Sequence, residues 1–434
     1  MALFSRKPGR YALAFLFVTV LLDIIGLGII IPVMPTLLTE LTGKSVSEAA
    51  PYGGALLFVY AVMQFFMSPI LGGLSDRFGR RPVILFSLLG YSIDFLLMAL
   101  APTYWWLFLG RALSGAFAAT FATANAYIAD ISPPEKRAAN FGLLGAAFGL
   151  GFIIGPGIGG WLGEMGTRLP FFAASAIIFV NFVYGFFVLP ETLAEENRRP
   201  FSWARANPFG SLIQVAKYPI VIGVLVTYFV MQFAHNSLPA IWAYFTEWKY
   251  GWSPAEVGTS LMFVGVLAAV VQGGLTRKMI PIIGERRAVL IGAASMIASF
   301  VGYSLLAPTG VWVYLWLVIG ALGGFMMPAM QGLMSRATPS NAQGELQGAI
   351  ASVMSITMMT SPLTMTLLFE YFTGSGAPVE FAGAPFLAAA ILLALAMIPF
   401  WITMQKADLR ARGEKAAQDA GAADNAAPNA DTSS

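Results

Sequence analysis

GGLSDRFGRRPVILFSLLGYSIDFLLMAL, residues 72–100, sets a short basic turn against an apolar run, and that run decides the fold. From Val83 to Leu100 it carries one charge, Asp94, over nearly the ~20 residues that a helix rising 1.5 Å per residue needs to cross a ~30 Å hydrocarbon core. Phe141–Leu162 and Val311–Met330 read the same way. About twelve such runs are present, near 11–38, 52–72, 82–101, 104–129, 138–163, 170–189, 219–246, 254–274, 287–307, 311–335, 345–372 and 381–404. Hydrophobic residues make up 57% of the 434 and charged residues 11%, against roughly a quarter charged in soluble domains, so lipid is the main solvent. The first run is too long for a signal peptide and has no small-residue cleavage pattern behind it, which makes it a retained helix.

These runs predict an all-α integral membrane protein with twelve transmembrane helices in two six-helix bundles. The longest polar interruption, Pro190 to Lys217, contains Glu195, Glu196, Arg198, Arg199 and Pro200 and reads as a linker. The organisation is therefore a first bundle over 1–189, a linker over 190–218, a second bundle over 219–404 and a tail over 405–434. The tail is rich in Ala, Asp, Asn and Ser and reads as disordered.

With both termini on the cytoplasmic side, 21 Lys and Arg fall in inside segments and three (Lys44, Arg168, Lys249) outside, leaving only Arg111 within a span. That asymmetry follows the retention of positive charge by cytoplasmic loops. The net charge of +3 needs no nucleic acid to explain it. With no cysteine and one histidine, disulfides, thiolate sites and histidine clusters are excluded, and no metal site is predicted. The halves echo each other: Gly73 to Arg81 after span two corresponds to Gly274 to Arg287 after span eight. A parallel repeat of two six-helix halves is a transporter architecture, with its substrate site between the halves near the midplane.

Ionisable residues at membrane depth cost at least ~2.5 kcal/mol on insertion scales and ask for a function and a partner. Asp23 lies ~18 Å along its helix from Tyr11, and Arg111 enters ~10 Å from the opposite boundary, so the two reach similar depth and can pair. A pair that parts when the bundles rock would couple Asp23 to a proton; the same two residues also read as a permanent lock between spans one and four. Asp94 lies ~18 Å into span three, where Gly90 one turn away leaves room for a ligand, and packing between helices is the alternative. In the turn, Gly73 and Gly79 permit a tight bend, Asp76 is placed to cap a helix, and Arg77 and Arg80 to hold carboxylates, a latch able to open and close. Gly151, Gly155, Gly159 and Gly163 repeat every four residues on one face of span five, with Pro156 permitting a bend. Gln64, Asn125, His235, Asn236 and Gln272 are polar residues inside spans, either lining a pathway or hydrogen-bonded in packing. His235, about 24 Å into span seven, lies towards the outer face.

The chain resembles the major facilitator superfamily, specifically the twelve-span drug:proton antiporters and most closely the tetracycline/proton antiporters of Gram-negative bacteria. The resemblance rests on Leu22-Asp23-Ile24-Ile25-Gly26-Leu27-Gly28 with Pro32 and Pro35, the Gly73 to Arg81 turn, Arg111 with Gly115, and Gly149 to Pro156 followed by Gly159-Gly160. It implies a monomer in the bacterial inner membrane, both termini cytoplasmic, exchanging a cytoplasmic drug for inward protons by alternating access. It implies no resident cofactor, tetracycline itself travelling as a divalent-metal chelate such as that of magnesium. Asp23 and Arg111 match the embedded proton-coupling pair, Asp76 and Arg80 the gating loop, Asp94 and Gln64 the pathway, and Gly151, Gly155, Pro156 and Gly159 the antiporter motif. Where the best-known tetracycline exporters have a histidine in span eight and an aspartate in span nine, this sequence has Ala268 and Met296. The competing reading is a facilitator or importer of a small metabolite without proton coupling; a membrane enzyme finds no catalytic constellation to support it.

Overall fold

The computed structural model of the protein describes residues 10–118, 120–201, 217–339 and 342–426, so Arg6, Lys7, Arg205, most of the linker and residues 427–434 lie outside the described residues. Every described element is helical. Among the described residues, eleven helices are long and apolar enough to cross a membrane. Span four is divided near Ala118 into Tyr104–Phe117 and Thr120–Ile131, each too short to cross alone.

Other spans carry breaks too. Span one runs Arg10–Ile29 and resumes at Met34–Thr42 after a tight turn at Ile31–Val33, where Pro32 and Pro35 withhold backbone donors. Span seven is Pro219–His235 followed by Ser237–Tyr250, and span ten is Gly310–Ala321 followed by Met326–Arg336. Span eight joins Pro254–Ala268 to Thr276–Ile283 through a π-helical stretch, Ala269–Leu275. Spans two (Val46–Phe78), three (Arg80–Ala99), five (Pro134–Met165), six (Leu169–Val188), nine (Glu285–Leu305) and eleven (Gln343–Thr373) are continuous, span five straight through Pro156. Span twelve continues as Ala384–Ala426, so the tail read as disordered from 405 is helical for most of its length. Its many alanines, with Lys, Glu, Arg and Gln between them, are strong helix formers that need no apolar face to extend an existing helix.

The internal repeat is visible in the caps. Ser45 with Glu48 opens span two by a reciprocal capping box, and Ser253 with Glu256 opens span eight in the same way. Span two ends at Gly79 with φ 106° and span eight at Gly284 with φ 80°, conformations that glycine adopts without a Cβ penalty. The next residue starts the following span and pairs with the end of the span after it, Arg80 with Asp130 and Glu285 with Arg336. The charges are exchanged between the halves while the geometry is kept.

The bundles meet at the end remote from the termini. There Gly258 of span eight lies against the Pro156 carbonyl and Gly160 of span five, and the Glu164 carboxylate accepts from the Ala255 N–H at 3.1 Å. Gly53 and Gly54 of span two face Tyr244 of span seven and Thr366 of span eleven, and the Ser47 hydroxyl donates to the Thr373 carbonyl at 3.1 Å. Small residues allow this approach of backbones. At the other end the space above Gly145, Gly149, Gly273, Gly274 and Gly344 is open to 4 Å. The contacts that hold the two bundles together thus include the end remote from the linker and the termini.

Span five makes the contrast testable on one helix. Gly155 and Gly159 press on the backbone of span one at Ile25, Gly28 and Ile29, whereas Gly145 faces open space. Gly159→Ala is expected to lower the thermal midpoint by several degrees, an overpacking cost of about 1–3 kcal/mol. Gly145→Ala is expected to leave it unchanged or raise it, because alanine is the better helix former by up to ~1 kcal/mol; melting of the purified protein in lipid nanodiscs reads both.

Candidate functional site

The three charged residues at membrane depth, Asp23, Asp94 and Arg111, all belong to the first bundle. Asp94 of span three is fully buried; its Oδ2 accepts from the Ser114 hydroxyl of span four and its Oδ1 has no partner. Arg111 lies one turn before Ser114, 5% exposed, with its guanidinium 5.8 Å from the centre of the Tyr60 ring of span two. Tyr60 shares a hydrogen bond with Tyr91 of span three, and both lie within electrostatic reach of Asp23 and Asp94. Asp23 is half-buried with its Oδ1 enclosed and unpartnered. Spans one to four thus bring two acids, one arginine and two phenols together, with three buried polar atoms (Asp23 Oδ1, Asp94 Oδ1, Arg111 Nε) left without hydrogen bonds.

Two expectations from the sequence need correction here. No ion pair joins Asp23 to Arg111; the carboxylate whose field reaches Arg111 is that of Asp94. Depth along a helix axis places residues at one level but does not say which way each helix face turns, and span four turns Arg111 towards spans two and three. The room expected beside Gly90 is filled by the Phe117 ring, whose carbons lie 2.7 Å from where a Cβ would stand.

The turn between spans two and three is a knot of charge. Arg80 bonds Asp76 at 2.5 Å, Asp130 at 3.1 Å and the Ser75 hydroxyl at 3.1 Å. Asp76 caps no helix, because it lies in the last turn of span two. The cap is Glu191 of the linker, whose carboxylate accepts from the backbone N–H of Arg80 at 2.9 Å and of Arg81 at 3.1 Å. These donors belong to the first turn of span three, where no intrahelical acceptor exists and a negative charge meets the positive end of the helix dipole. Gly79 is required twice, by its φ of 106° and because a Cβ would enter the Glu191 carboxylate. Gly73 lies under the Phe201 ring, and Arg77 is exposed with its guanidinium 5.0 Å from the Phe78 ring centre.

Span five presents Gly151, Gly155 and Gly159 to span one, as their four-residue spacing suggests, with Gly28 against the Pro156 ring. In the second bundle His235 and Gln272 come together around a cavity of about 160 Å³, and the same cavity is walled by Ala268 and Met296. Gln64 and Asn125 are half-buried on spans two and four of the first bundle, and Asn236 is half-buried where span seven breaks. Sequence reasoning missed Tyr60, Tyr91, Ser114, Asp130 and Glu191. Only Ser114 had a readable signal, a hydroxyl one helical turn beyond Arg111.

Comparison with known proteins agrees with this architecture. The sequence model of the Major Facilitator Superfamily matches residues 16–362 and 283–428. The class C tetracycline resistance protein of Escherichia coli is 41% identical over 360 residues, 82% of this chain and 89% of that protein. The class H tetracycline resistance protein of Pasteurella multocida is 37% identical over 401 residues, 90% of this chain and 96% of that one. Among solved structures, an inward-facing, unoccupied bacterial homologue of the human lysosomal transporter Spinster superposes with a TM-score of 0.73 at 17% identity, covering 92% of this chain and 98% of that one. The nucleoside transporter NupG gives a TM-score of 0.72 at 13% identity, covering 90% and 99%. The two structures speak for the fold; with the sequence matches beside them, the chain belongs to the major facilitator superfamily.

Proposed function

We propose that this protein exports tetracycline or a related amphipathic drug from a bacterial cell in exchange for protons, by alternating access across the inner membrane with both termini cytoplasmic. The observation that carries the reading is the cluster of Asp23, Asp94 and Arg111 inside the first bundle, with an unpartnered oxygen on each acid. A carboxylate oxygen held away from water without a hydrogen-bond donor is where a proton can be taken up and given back, and such groups are kept in spans at a cost that function explains. The names of the relatives, tetracycline resistance proteins of several classes at 36–41% identity, supply the substrate class.

With both acids ionised the cluster carries one net negative charge beside Arg111, which suits a cation such as a magnesium chelate of tetracycline. Protonation of either acid removes that attraction. Drug and proton then compete for one charge, which is the minimum condition for exchange. The bundles touch at the end remote from the linker, and the linker end is cytoplasmic in this reading. The Arg80 knot and Glu191 hold span two to span three on that side.

Inverted membrane vesicles loaded with a pH gradient test the reading. Wild type is expected to accumulate tetracycline with magnesium when the gradient is imposed, and Asp23→Asn to lose at least ~90% of that uptake, the tenfold that about 1.4 kcal/mol represents. Uptake indifferent to both gradient and substitution would favour a facilitator instead. Glu191→Gln keeps the acceptor geometry but removes the charge at the helix start; it is expected to lower stability by about 0.3–1 kcal/mol and to slow gradient-driven uptake without changing drug binding at equilibrium.

A further inference from the structure

The second bundle contains a chamber with a different chemistry from the charged cluster. Spans seven, eight, nine and ten wall it, and no Asp, Glu, Lys or Arg is among its lining residues. Its polar groups are few and partly committed. The Ser299 hydroxyl donates to the Trp316 carbonyl at 2.8 Å, and the Tyr303 ring packs edge-on to Trp242 with centroids 5.2 Å apart. Gln232, His235 and Gln272 remain, Gln232 largely buried and the other two exposed to the space. Gln272 comes from the π-helical stretch Ala269–Leu275, a local widening of span eight at the chamber wall. Such bulges re-aim side chains and recur at functional sites.

Size and lining set what fits. The chamber measures about 160 Å³, and an apolar cavity of roughly 150 Å³ takes a benzene ring. A fused multi-ring molecule is too large to enter whole. A charged group would lose its hydration without finding a counter-charge. Met231, Met296 and Met327 supply flexible, polarizable walls that fit around an aromatic face.

We propose that this chamber binds one uncharged aromatic ring of the substrate, with Gln272 and His235 hydrogen-bonding its ring substituents while the polar or charged remainder stays outside, towards the first bundle. The inference rests on the export reading for the identity of the substrate, but ring binding itself needs neither a gradient nor turnover. Ala268 on span eight and Ala321 on span ten are small residues of the lining, so a larger side chain at either takes the space the ring would occupy.

Equilibrium dialysis of the full chain in lipid nanodiscs against radiolabelled chloramphenicol, a neutral compound with a single nitrophenyl ring, tests this. Ala268→Phe and Ala321→Phe, which fill the chamber from spans eight and ten, are each expected to weaken binding at least ~10-fold, since even one surplus methylene in an apolar pocket discriminates by 10–200-fold. Val311→Phe, at a position 79% exposed on the outer surface of span ten, adds the same ring elsewhere and is expected to bind as wild type. Thermal midpoints of all three confirm that a folded protein is measured, and two filled variants on different helices guard against the failure of one. Saturable binding that is absent in wild type, or unchanged in both filled variants, overturns the proposal. Failure of gradient-driven uptake would overturn the export reading and leave this result standing.

Discussion

A positive charge that lies inside the bundle without an ion pair governs this molecule. Arg111 is 5% exposed and its Nε has no hydrogen-bond partner. Leaving an arginine at membrane depth is costly unless neighbouring groups balance it. Asp94 does so through space, Tyr60 offers its ring face, and Asp23 lies within reach of the same two tyrosines. The placement of spans one to four around this point follows: each contributes at least one member of the cluster, and none of those members can leave without exposing another to uncompensated burial. A site whose balance depends on the protonation of two acids is one that can be switched by a proton.

The rest of the first bundle keeps that cluster in place while allowing movement elsewhere. Glycines of span five bring it onto the backbone of span one at Ile25, Gly28 and Ile29, fixing the helix that carries Asp23. Glu191 and the Arg80 knot fix the start of span three, which carries Asp94. By contrast the contacts between bundles use small residues, Gly53, Gly54, Gly160 and Gly258 at the end remote from the termini and Gly265 against Ile153 farther along spans eight and five. Two halves joined through small residues are suited to rocking against each other.

Much of this was legible in the sequence. Hydrophobic run length revealed the spans, because in lipid the backbone must satisfy itself within each helix, and the spacing of Gly151, Gly155 and Gly159 revealed a packed face because helical geometry puts every fourth residue on one side. What could not be read was azimuth and long-range partnership. Asp23 and Arg111 were matched by depth, yet Arg111 turns to Asp94 and Tyr60. Asp76 was read as a cap on local grounds, whereas the cap comes from Glu191, more than a hundred positions away. The helical extension to Ala426 is not what a tail rich in Asp, Asn and Ser suggests; its alanine content decides the outcome instead. The chamber around Ala268 and Met296 appears only when four spans close around it.

The claim on which the account turns is that drug and proton compete for the Asp23–Asp94–Arg111 cluster. The most direct measurement is proton release on drug binding, followed with a pH indicator in weakly buffered nanodiscs of the purified protein on adding tetracycline with magnesium. The account predicts that saturating drug releases protons from wild type and none from an Asp23→Asn, Asp94→Asn double variant, after correction for protons shed by the chelate itself. Drug that binds wild type to saturation without displacing protons from the protein would contradict it.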